Sequence, residues 1–306
     1  MDPTDGNMNG ADGSVGNGPG GGPGDGPGDG YDPGMDAGFG LGNGVRVFSR
    51  SDAAAIDRAC AEEFGLPTLV LMEHASSQLT EATVRLLSIL GGSTVLVVCG
   101  PGQNGGDGLA SARQLDAMDI EVAVVLAGSS DAVKGDAAVQ LSACTLAGVE
   151  VIEIDDAGAI DEVLGDAEPA VVIDALFGTG LSRAPEGVAA ALIDRINEMG
   201  AEGATIVSAD VPSGMDCDSG GAVGACVRAD LTVTFAGLKR GFLELGAQEW
   251  LGEVVVAPIG APGVVLRRFG EAAEAGWADR FGREFGADDD ALSEAPGDGS
   301  RGAGLG

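Results

Sequence analysis

Short runs of consecutive apolar residues alternate along the chain with longer segments whose apolar residues recur every three or four positions. The short runs predict strands buried on both faces, and the periodic segments predict helices. The predicted strands are Thr94–Cys99, 121–126, Glu150–Ile154, 170–174, Thr205–Ala209, Leu231–Phe235 and Glu253–Ala257. The predicted helices are 53–64, 71–90, 109–118, 133–146, 159–164 and 187–199. Strands that alternate with helices predict an α/β fold, with a mostly parallel sheet between two layers of helices. Ser51 is expected to cap the first helix and Gly65 to end it.

The two ends of the chain differ from its middle in composition. Residues 1–44 are mostly Gly, Asp, Pro and Asn, and acidic, Gly-rich sequence returns after about residue 270. Such segments contain too few aliphatic residues to offset their chain entropy by burial. We therefore predict a disordered N-terminal extension over 1–45, one folded domain over 46–265 and a disordered acidic tail over 266–306.

The overall charge excludes several classes of partner. The chain has 48 acidic and 16 basic residues, for a formal net charge of −32. Nucleic acids and anionic membranes bind to clustered cations, so neither is expected as a partner. The N-terminal sequence MDPTDGNMNG lacks the basic and apolar regions of a secretory signal. Five scattered cysteines without a CxxC pair argue against a zinc site or a disulfide framework. A cytoplasmic protein is expected.

Three polar loops follow predicted strands, and ligands bind at the carboxyl ends of strands in parallel sheets. The first, GPGQNGGDG over 100–108, leads from a strand into a helix, where glycines allow a phosphate to reach free backbone N–H groups. The second, IDALFGTGLSRA, contains Asp174 at a strand end, with Arg183 beyond it as a natural phosphate partner. The third, SADVPSGMDCD, places Asp210 directly after a strand.

Each loop also has a simpler interpretation. The first loop could be a tight turn with a polar cap, Asp174 could cap the next turn, and Asp216 and Asp218 are expected to be solvated turn residues. Together the carboxylate, hydroxyl and amide oxygens offer hard ligands to a monovalent or divalent cation. From these residues alone, a Mg²⁺ site for phosphoryl transfer is an equally good interpretation.

In combination, five segments resemble the NAD(P)H-hydrate epimerase family, also called the YjeF N-terminal domain. They are VFSRSDAAAIDRACAEEFGLPTLVLMEHAS, VLVVCGPGQNGGDGLASARQL, VVIDALFGTGLSRAPEG, VSADVPSGMDCDSG and VRADLTVTFAGLKRGFLELGAQEWLGEVVVAPIG. The resemblance implies a Rossmann-like three-layer α/β/α sandwich, in agreement with the alternation above. It also implies an isomerase of metabolite repair that interconverts the R and S epimers of NADHX and NADPHX, in which the nicotinamide ring is hydrated at C6.

The same resemblance implies the residues of the site. One K⁺ per subunit would be bound by Asn104, Asp174 and Ser213, and Asp210 would reach the hydrated ring. The other substrate contacts would be Gln103, Asn104, Gly105, Gly106, Asp107, Gly178, Thr179, Gly180, Leu181, Ser182, Arg183 and Ala184. A homodimer is also implied. A separate NAD(P)H-hydrate dehydratase is expected as a pathway partner, because nothing after residue 265 is long or apolar enough to form that domain.

The chemistry of the implied substrate suggests a role for one carboxylate. C6 carries a hydroxyl and is bonded to the ring nitrogen, so its inversion requires cleavage of the C6–N1 bond or loss and return of hydroxide. Both routes move a proton beside C6, which a carboxylate can do. We assign this general acid/base role to Asp210, with K⁺ organising the loops instead of acting as a Lewis acid.

Some positions depart from the family pattern or have no assigned role. Gln103 stands where the family usually has Asn. His74 and Ser76 replace the Asn and Gly of its LMENAG segment. His74 is the chain's single histidine and lies on a predicted helix away from the three loops, so a packing or dimer-interface role is expected. Lys239 matches a family lysine and is expected to support the fold or the K⁺ site.

Two alternative functions remain open. Similar domains occur as non-catalytic interaction modules, in an apolipoprotein-binding protein and in an mRNA-decapping scaffold. The presence of Asn104, Asp174, Asp210 and Ser213 together favours the enzyme over such a module. A nucleotide-binding regulator would bind intact NAD(P)H as tightly as its hydrate. Conversion of the pure R epimer to the S epimer distinguishes the three functions.

Overall fold

The computed structural model describes residues 44–274, 276–277 and 282–284. In these residues, helices flank a parallel sheet. The strands are β1 (Arg46–Phe48), β2 (Thr94–Cys99), β3 (Glu121–Ala127), β4 (Glu150–Ile154), β5 (Val171–Ala175), β6 (Thr205–Ala209), β7 (Leu231–Phe235), β8 (Leu238–Lys239), β9 (Glu253–Ala257), β10 (Glu271–Ala272) and β11 (Gly282–Glu284). The α-helices are α1 (Arg50–Phe64), α2 (Thr68–Leu90), α3 (Gln103–Asp116), α4 (Gly135–Ala147), α5 (Ile160–Leu164), α6 (Val188–Glu202), α7 (Gln248–Leu251) and α8 (Gly263–Leu266). The single-turn 3₁₀ helices are Ser130–Ala132, Ala157–Ala159 and Arg240–Leu243.

The main sheet of the described residues has eight strands in the order β11-β9-β7-β6-β5-β2-β3-β4. All neighbours in it run parallel. The strand order reverses between β2 and β5, because the chain adds β3 and β4 on one side before it returns to the other. Such a reversal separates the loops that leave the two strands and opens a crevice at their carboxyl ends. A second, three-stranded sheet has the order β10-β1-β8.

Helices cover both faces of the main sheet. In β2, Val95, Val97 and Cys99 belong to the apolar cluster that includes residues of α1 to α4. Leu96 and Val98 point to the other face and pack in the cluster that includes residues of α5 and α6. This alternation buries both sides of each central strand, as the continuous apolar runs predicted. The predicted three-layer α/β/α sandwich with a mostly parallel sheet is confirmed.

The start of α1 differs from the prediction. Ser49, and not Ser51, is the N-cap: its hydroxyl accepts a hydrogen bond from the backbone N–H of Asp52, whose carboxylate accepts one from the Ser49 N–H in return. This capping box satisfies two N–H groups that the helix would otherwise leave unpaired. Ser51 therefore lies inside the helix. Gly65 ends it in the left-handed conformation, as predicted.

Helix α3 begins at Gln103, six residues before the predicted start at residue 109. The glycines that resembled a loop are helical because the helix runs very close to the sheet. A Cβ atom on Gly105 would lie 1.8 Å from the carbonyl oxygen of Gly100, and one on Gly108 would lie 2.6 Å from the Cβ of Ala175. These positions exclude any side chain, so packing overrides the poor helix propensity of glycine.

Ordered structure continues beyond the predicted domain boundary at residue 265. Helix α8 ends at Leu266, β10 pairs with β1, and β11 pairs with β9. Most of the extension over 1–45 and much of the tail over 266–306 lie outside the described residues. Within the described part of the chain, no helix combines the length and hydropathy that crossing a bilayer requires.

Candidate active site

A cavity of about 510 Å³ lies at the carboxyl ends of β2 and β5, where the strand order reverses. Its volume falls within the roughly 300–1,000 Å³ that is typical of small-molecule sites. Residues of α1, the first turns of α2 and α3, and the segments after β5, β6 and β7 form its walls. The charged residues that line it are Arg50, Asp57, Asp107, Asp210 and Lys239. Apolar side chains, among them Ile56, Leu71 and Phe235, form much of the remaining surface.

Lys239 and Asp210 form a buried ion pair in the wall of this cavity. The Nζ atom of Lys239 lies 2.7 Å from Oδ1 of Asp210, and the two side chains are 3% and 13% exposed. Lys239 also donates to the hydroxyl of Thr234 and to the carbonyl oxygens of Phe235 and Gly237, at 2.9, 2.9 and 3.2 Å. An ammonium group has three N–H donors, so these acceptors occupy all of them. Lys239 therefore neutralises Asp210 and has no donor left for a ligand.

The backbone of Asp210 adopts a left-handed conformation that is unusual for a residue with a side chain. Its φ is 64°, and its N–H donates to the carbonyl oxygen of Val233 at 2.9 Å. This conformation costs about 1–2 kcal/mol for an L-residue and is concentrated at functional sites. Its Oδ1 accepts a 3.3 Å hydrogen bond from the Phe235 N–H. The turn after β6 thus presents the Asp210 carboxylate to the cavity.

Two further carboxylates, Asp107 and Asp57, line the cavity, and neither has a cation at hydrogen-bonding distance among the described residues. Enclosure by the protein, followed by the negative charges of Asp210 and Asp57, raises the pKa of Asp107 well above its ordinary value. Desolvation by the cavity walls and the charge of Asp210 also raise the pKa of Asp57, although Lys239 opposes the shift. Of the three carboxylates, Asp210 alone has an ion-pair partner among the described residues.

Asp174 and Ser213 join the second and third loops behind the cavity. The Ser213 hydroxyl donates to Oδ1 of Asp174 at 2.5 Å, and the Ser213 N–H donates to Oδ2 at 2.8 Å. Ser208 and the N–H of Leu176 donate to the same carboxylate. Burial raises the pKa of Asp174, and these hydrogen bonds act in the opposite direction. The Ser213 hydroxyl accepts a hydrogen bond from the N–H of Phe177, which lines the cavity.

Asn104 lies in the first turn of α3 and lines the cavity. Its side-chain Nδ2 is buried and has no hydrogen-bond partner among the described residues. An unsatisfied buried polar group costs about 1–3 kcal/mol. A ligand that interacts with this amide would remove the cost, so the amide marks a polar subsite.

Comparison with known proteins agrees with this architecture. The sequence model described as "YjeF-related protein N-terminus" matches residues 68–241, which is more than half of the chain. The chain belongs to this family. Its place in the YjeF N-terminal family accounts for the five segments identified in the sequence.

Individual relatives are similar over most of the described residues. The chain is 34% identical to an NAD(P)H-hydrate epimerase of Pirellula staleyi, over 72% of this chain and 95% of that protein. It is 38% identical to a bifunctional NAD(P)H-hydrate repair enzyme of Thermofilum pendens, over 72% of this chain and 41% of that protein. The chain therefore spans about two fifths of the bifunctional relative. A crystal structure of yeast YNL200c has a TM-score of 0.63 at 23% identity, over 76% of this chain and 97% of that one, and supports the fold.

The structure brings many, but not all, of the family-derived substrate residues to the cavity surface. Those that line it are Gln103, Asn104, Asp107, Gly178, Thr179, Gly180, Leu181 and Asp210. Gly105 and Gly106 lie within α3, where a Cβ would meet Gly100 and Met72. Ser182, Arg183 and Ala184 are not among the lining residues, and their side chains are exposed.

The three predicted K⁺ ligands differ in how many partners they already have. Asn104 borders the cavity, and its unpaired atom is the donor Nδ2, not the oxygen that a cation would bind. Both oxygens of Asp174 already accept hydrogen bonds, and Ser213 is bonded to Asp174. Amide, carboxylate and hydroxyl oxygens are hard ligands, and a carboxylate oxygen has lone pairs for both a donor and a cation. Among the described residues, no group of three or more His, Cys, Asp or Glu is arranged to hold a metal ion.

Asp216 and Asp218 are not the solvated turn residues that the sequence predicted. Asp216 forms an ion pair with Arg50 at 2.7 Å, and Asp218 accepts a hydrogen bond from the Arg50 N–H at 2.9 Å. Their turn packs against the start of α1, and this contact orders both segments. The local sequence contains no sign of it, because Arg50 lies far away along the chain.

The sequence assigned general roles to Lys239 and His74 and no role to Asp57. Lys239 contacts Asp210 and none of the three predicted K⁺ ligands. His74 lies on α2 outside the cavity lining, as predicted, and its side chain is exposed. Its packing or dimer-interface role stays a prediction. Asp57 was missed, although it shares one face of α1 with Ala53 and Ile56 and is thus a carboxylate on an otherwise apolar face. This pattern was the available signal.

Proposed function

We propose that this chain is an NAD(P)H-hydrate epimerase, an isomerase that interconverts the R and S epimers of NADHX and NADPHX for metabolite repair. The observation that carries the proposal is the Asp210 carboxylate, which a strained turn presents to a cavity at the strand-order reversal. The names of relatives in the same family support it.

The residues of the cavity suit the inversion of C6. In the ring-opening route, Asp210 takes the proton of the C6 hydroxyl as the C6–N1 bond breaks. The bonding pair moves to N1, which is conjugated with the carboxamide, and C6 becomes an aldehyde. Asp210 returns the proton to the oxygen when N1 adds to the other face of C6. The alternative route, loss of hydroxide, would need a protonated carboxyl group at the start, so the ring-opening route is the one that matches Asp210 as the anionic partner of Lys239.

The neighbours of Asp210 prepare it for this role. Lys239 holds the carboxylate in place, and the apolar walls limit the access of water. We propose that Asn104, Asp174 and Ser213 hold one K⁺ per subunit. A bound K⁺ would supply positive charge at the site and would connect the three loops.

Epimerisation of a pure R epimer, followed by chromatography, tests the proposal. The wild type should form the S epimer, and Asp210→Asn, with its fold retained, should lose activity by about 10²–10⁴-fold. Asp161→Asn, an exposed carboxylate on α5 at the opposite face of the sheet, is the matched control and should retain activity. A rate within a few-fold of wild type for Asp210→Asn would contradict the assignment. A folded but inert wild type would favour a non-catalytic module.

We further propose that the chain acts in the cytoplasm as a homodimer, alongside a separate NAD(P)H-hydrate dehydratase. Five free, buried cysteines in the described residues suit a reducing compartment. Sedimentation equilibrium tests the homodimer, and a monomer at micromolar concentration would contradict it. Adding a dehydratase that acts on the S epimer to a solution of the R epimer tests the partnership, since consumption of the R epimer should then require this chain.

A further inference from the structure

The charges around the cavity do not favour an anionic ligand. Three carboxylates and two cations line it, in a chain with a formal net charge of −32. The proposed substrate carries a pyrophosphate, which is repelled by such a surface. The proposed K⁺ would offset part of this repulsion but donates no hydrogen bond, so a side-chain cation with unused hydrogen-bond donors is the complementary group to look for.

Lys239 does not meet this requirement. Its ammonium group is buried against Asp210 and three further acceptors, which use its three donors. A phosphate at this position would have to displace Asp210, the proposed catalytic group. The remaining cation of the cavity lining is Arg50.

Arg50 has the exposure and the free donors that Lys239 lacks. It is the first residue of α1, and its side chain is 31% exposed. Its Nη2 donates to Asp216 at 2.7 Å, and its Nε has no hydrogen-bond partner among the described residues. A guanidinium group has five N–H donors in one plane and binds phosphate oxygens in pairs. Nε is shielded from solvent, so the donors that a ligand could reach are those on the two Nη atoms that Asp216 does not occupy.

The surroundings of Arg50 hold it beside the second glycine-rich loop. Asp216 binds its guanidinium, and Asp218 accepts from its backbone N–H. The Cys217 thiol interacts with the same guanidinium and donates to the carbonyl oxygen of Thr179 at 3.7 Å. Thr179 itself lines the cavity. The turn over 216–218 therefore positions a cation next to the loop expected to contact the substrate.

We propose that Arg50 binds the phosphate groups of the substrate at the edge of the cavity, beside Thr179. This inference rests on the proposed function for the identity of the substrate. It assigns a binding role to a residue outside the three glycine-rich and acidic loops. It also explains why two aspartates hold a solvent-accessible arginine in an acidic protein: Asp216 orients the guanidinium, Asp218 fixes the backbone N–H, and donors on the guanidinium remain free.

Calorimetric binding of ADP-ribose, which contains the pyrophosphate but no nicotinamide, tests the inference without requiring catalysis. Arg50→Ala should weaken binding at least tenfold, and Arg50→Lys should recover part of the loss. Arg58→Ala removes the same charge from an exposed position of the same helix and should bind within twofold of wild type. In epimerisation assays, Arg50→Ala should raise KM more than it lowers kcat.

Asp216→Asn separates binding from a purely structural role. Asp216→Asn breaks the ion pair with Arg50 but keeps the cation. If Arg50 had only a structural role, the two variants Asp216→Asn and Arg50→Ala would lose the same ADP-ribose affinity and the same Tm. That result would overturn the proposal. A loss of ADP-ribose affinity in Arg183→Ala but not in Arg50→Ala would also overturn it, as would a wild type that does not bind ADP-ribose at millimolar concentration. A wild type that binds ADP-ribose through Arg50 but does not epimerise would refute the proposed function alone.

Discussion

Asn104 and Asp210 both lie against the backbone of Gly178. An ideal Cβ atom at Gly178 would lie 2.9 Å from Oδ1 of Asn104 and 3.2 Å from Oδ2 of Asp210. Three elements that are distant in sequence therefore converge at one point: the first turn of α3, the loop after β5 and the turn after β6. The proposed cation ligand and the proposed acid/base group are neighbours because this glycine has no side chain.

Gly178→Ala should therefore impair catalysis more than stability. The added methyl group displaces Asn104 and Asp210, and a small misplacement of a reacting group can cost as much as about 10²-fold in rate. We expect kcat to fall at least tenfold, with Tm lowered by only a few degrees. Gly221→Ala, in an exposed turn whose nearest neighbour to a Cβ is 4.0 Å away, is the control. Equal kcat values for Gly178→Ala and wild type would contradict this close approach.

Lys239→Met should destabilise the fold, because it leaves the Asp210 carboxylate buried without its cation. Loss of one partner of a buried ion pair costs about 3–5 kcal/mol. Urea denaturation should show this decrease in the free energy of unfolding. The double variant Lys239→Met/Asp210→Asn should be more stable than Lys239→Met, because the unpaired charge is gone. A decrease below about 1 kcal/mol in Lys239→Met would mean that the pair contributes no more than an exposed one.

Asp107→Asn should stabilise the protein increasingly as the pH rises. The pKa of Asp107 is raised in the folded state, chiefly by enclosure and then by the charges of Asp210 and Asp57. The unfolded chain therefore loses this proton near pH 4, whereas the folded chain retains it to higher pH. Between these two pKa values, the free energy of unfolding of the wild type falls as the pH rises. Within that pH range, the difference in free energy of unfolding between Asp107→Asn and the wild type should grow by about 1.4 kcal/mol per pH unit. Urea titrations between pH 4 and 8 measure it, and a pH-independent difference would contradict the shift.

Potassium should stabilise the wild type more than sodium does, if the proposed ligands are correct. A ligand at one hundred times its Kd stabilises the folded state by about 2.7 kcal/mol. We expect Tm to rise with KCl beyond the rise with NaCl at equal ionic strength. Asn104→Ala should abolish the difference, because it removes the amide oxygen. Equal Tm values in the two salts for the wild type would contradict a selective K⁺ site.

The candidate site was only partly predictable from the sequence. The motif segments identified Asn104, Asp107, Asp210 and the residues 178–181, all of which line the cavity. Arg50 was missed because helix α1 carries no sign of which loop it faces, and Asp57 was missed although its place on an apolar helix face was a signal. The sequence predicted that Lys239 supports the fold or the K⁺ site, but not its ion pair with Asp210, since its other acceptors are backbone carbonyls that no side-chain pattern records.

The sequence by itself determined the layered α/β fold and its central strands, because an apolar run buried on both faces has few alternatives to a parallel strand. Only the tertiary structure decided that β5 returns beside β2, that Lys239 neutralises Asp210, and that the turn over 216–218 holds Arg50. It also made Gly105 and Gly108 helical against their propensity. Local patterns register the burial of a residue, whereas ion pairs and close backbone contacts depend on which distant segments meet.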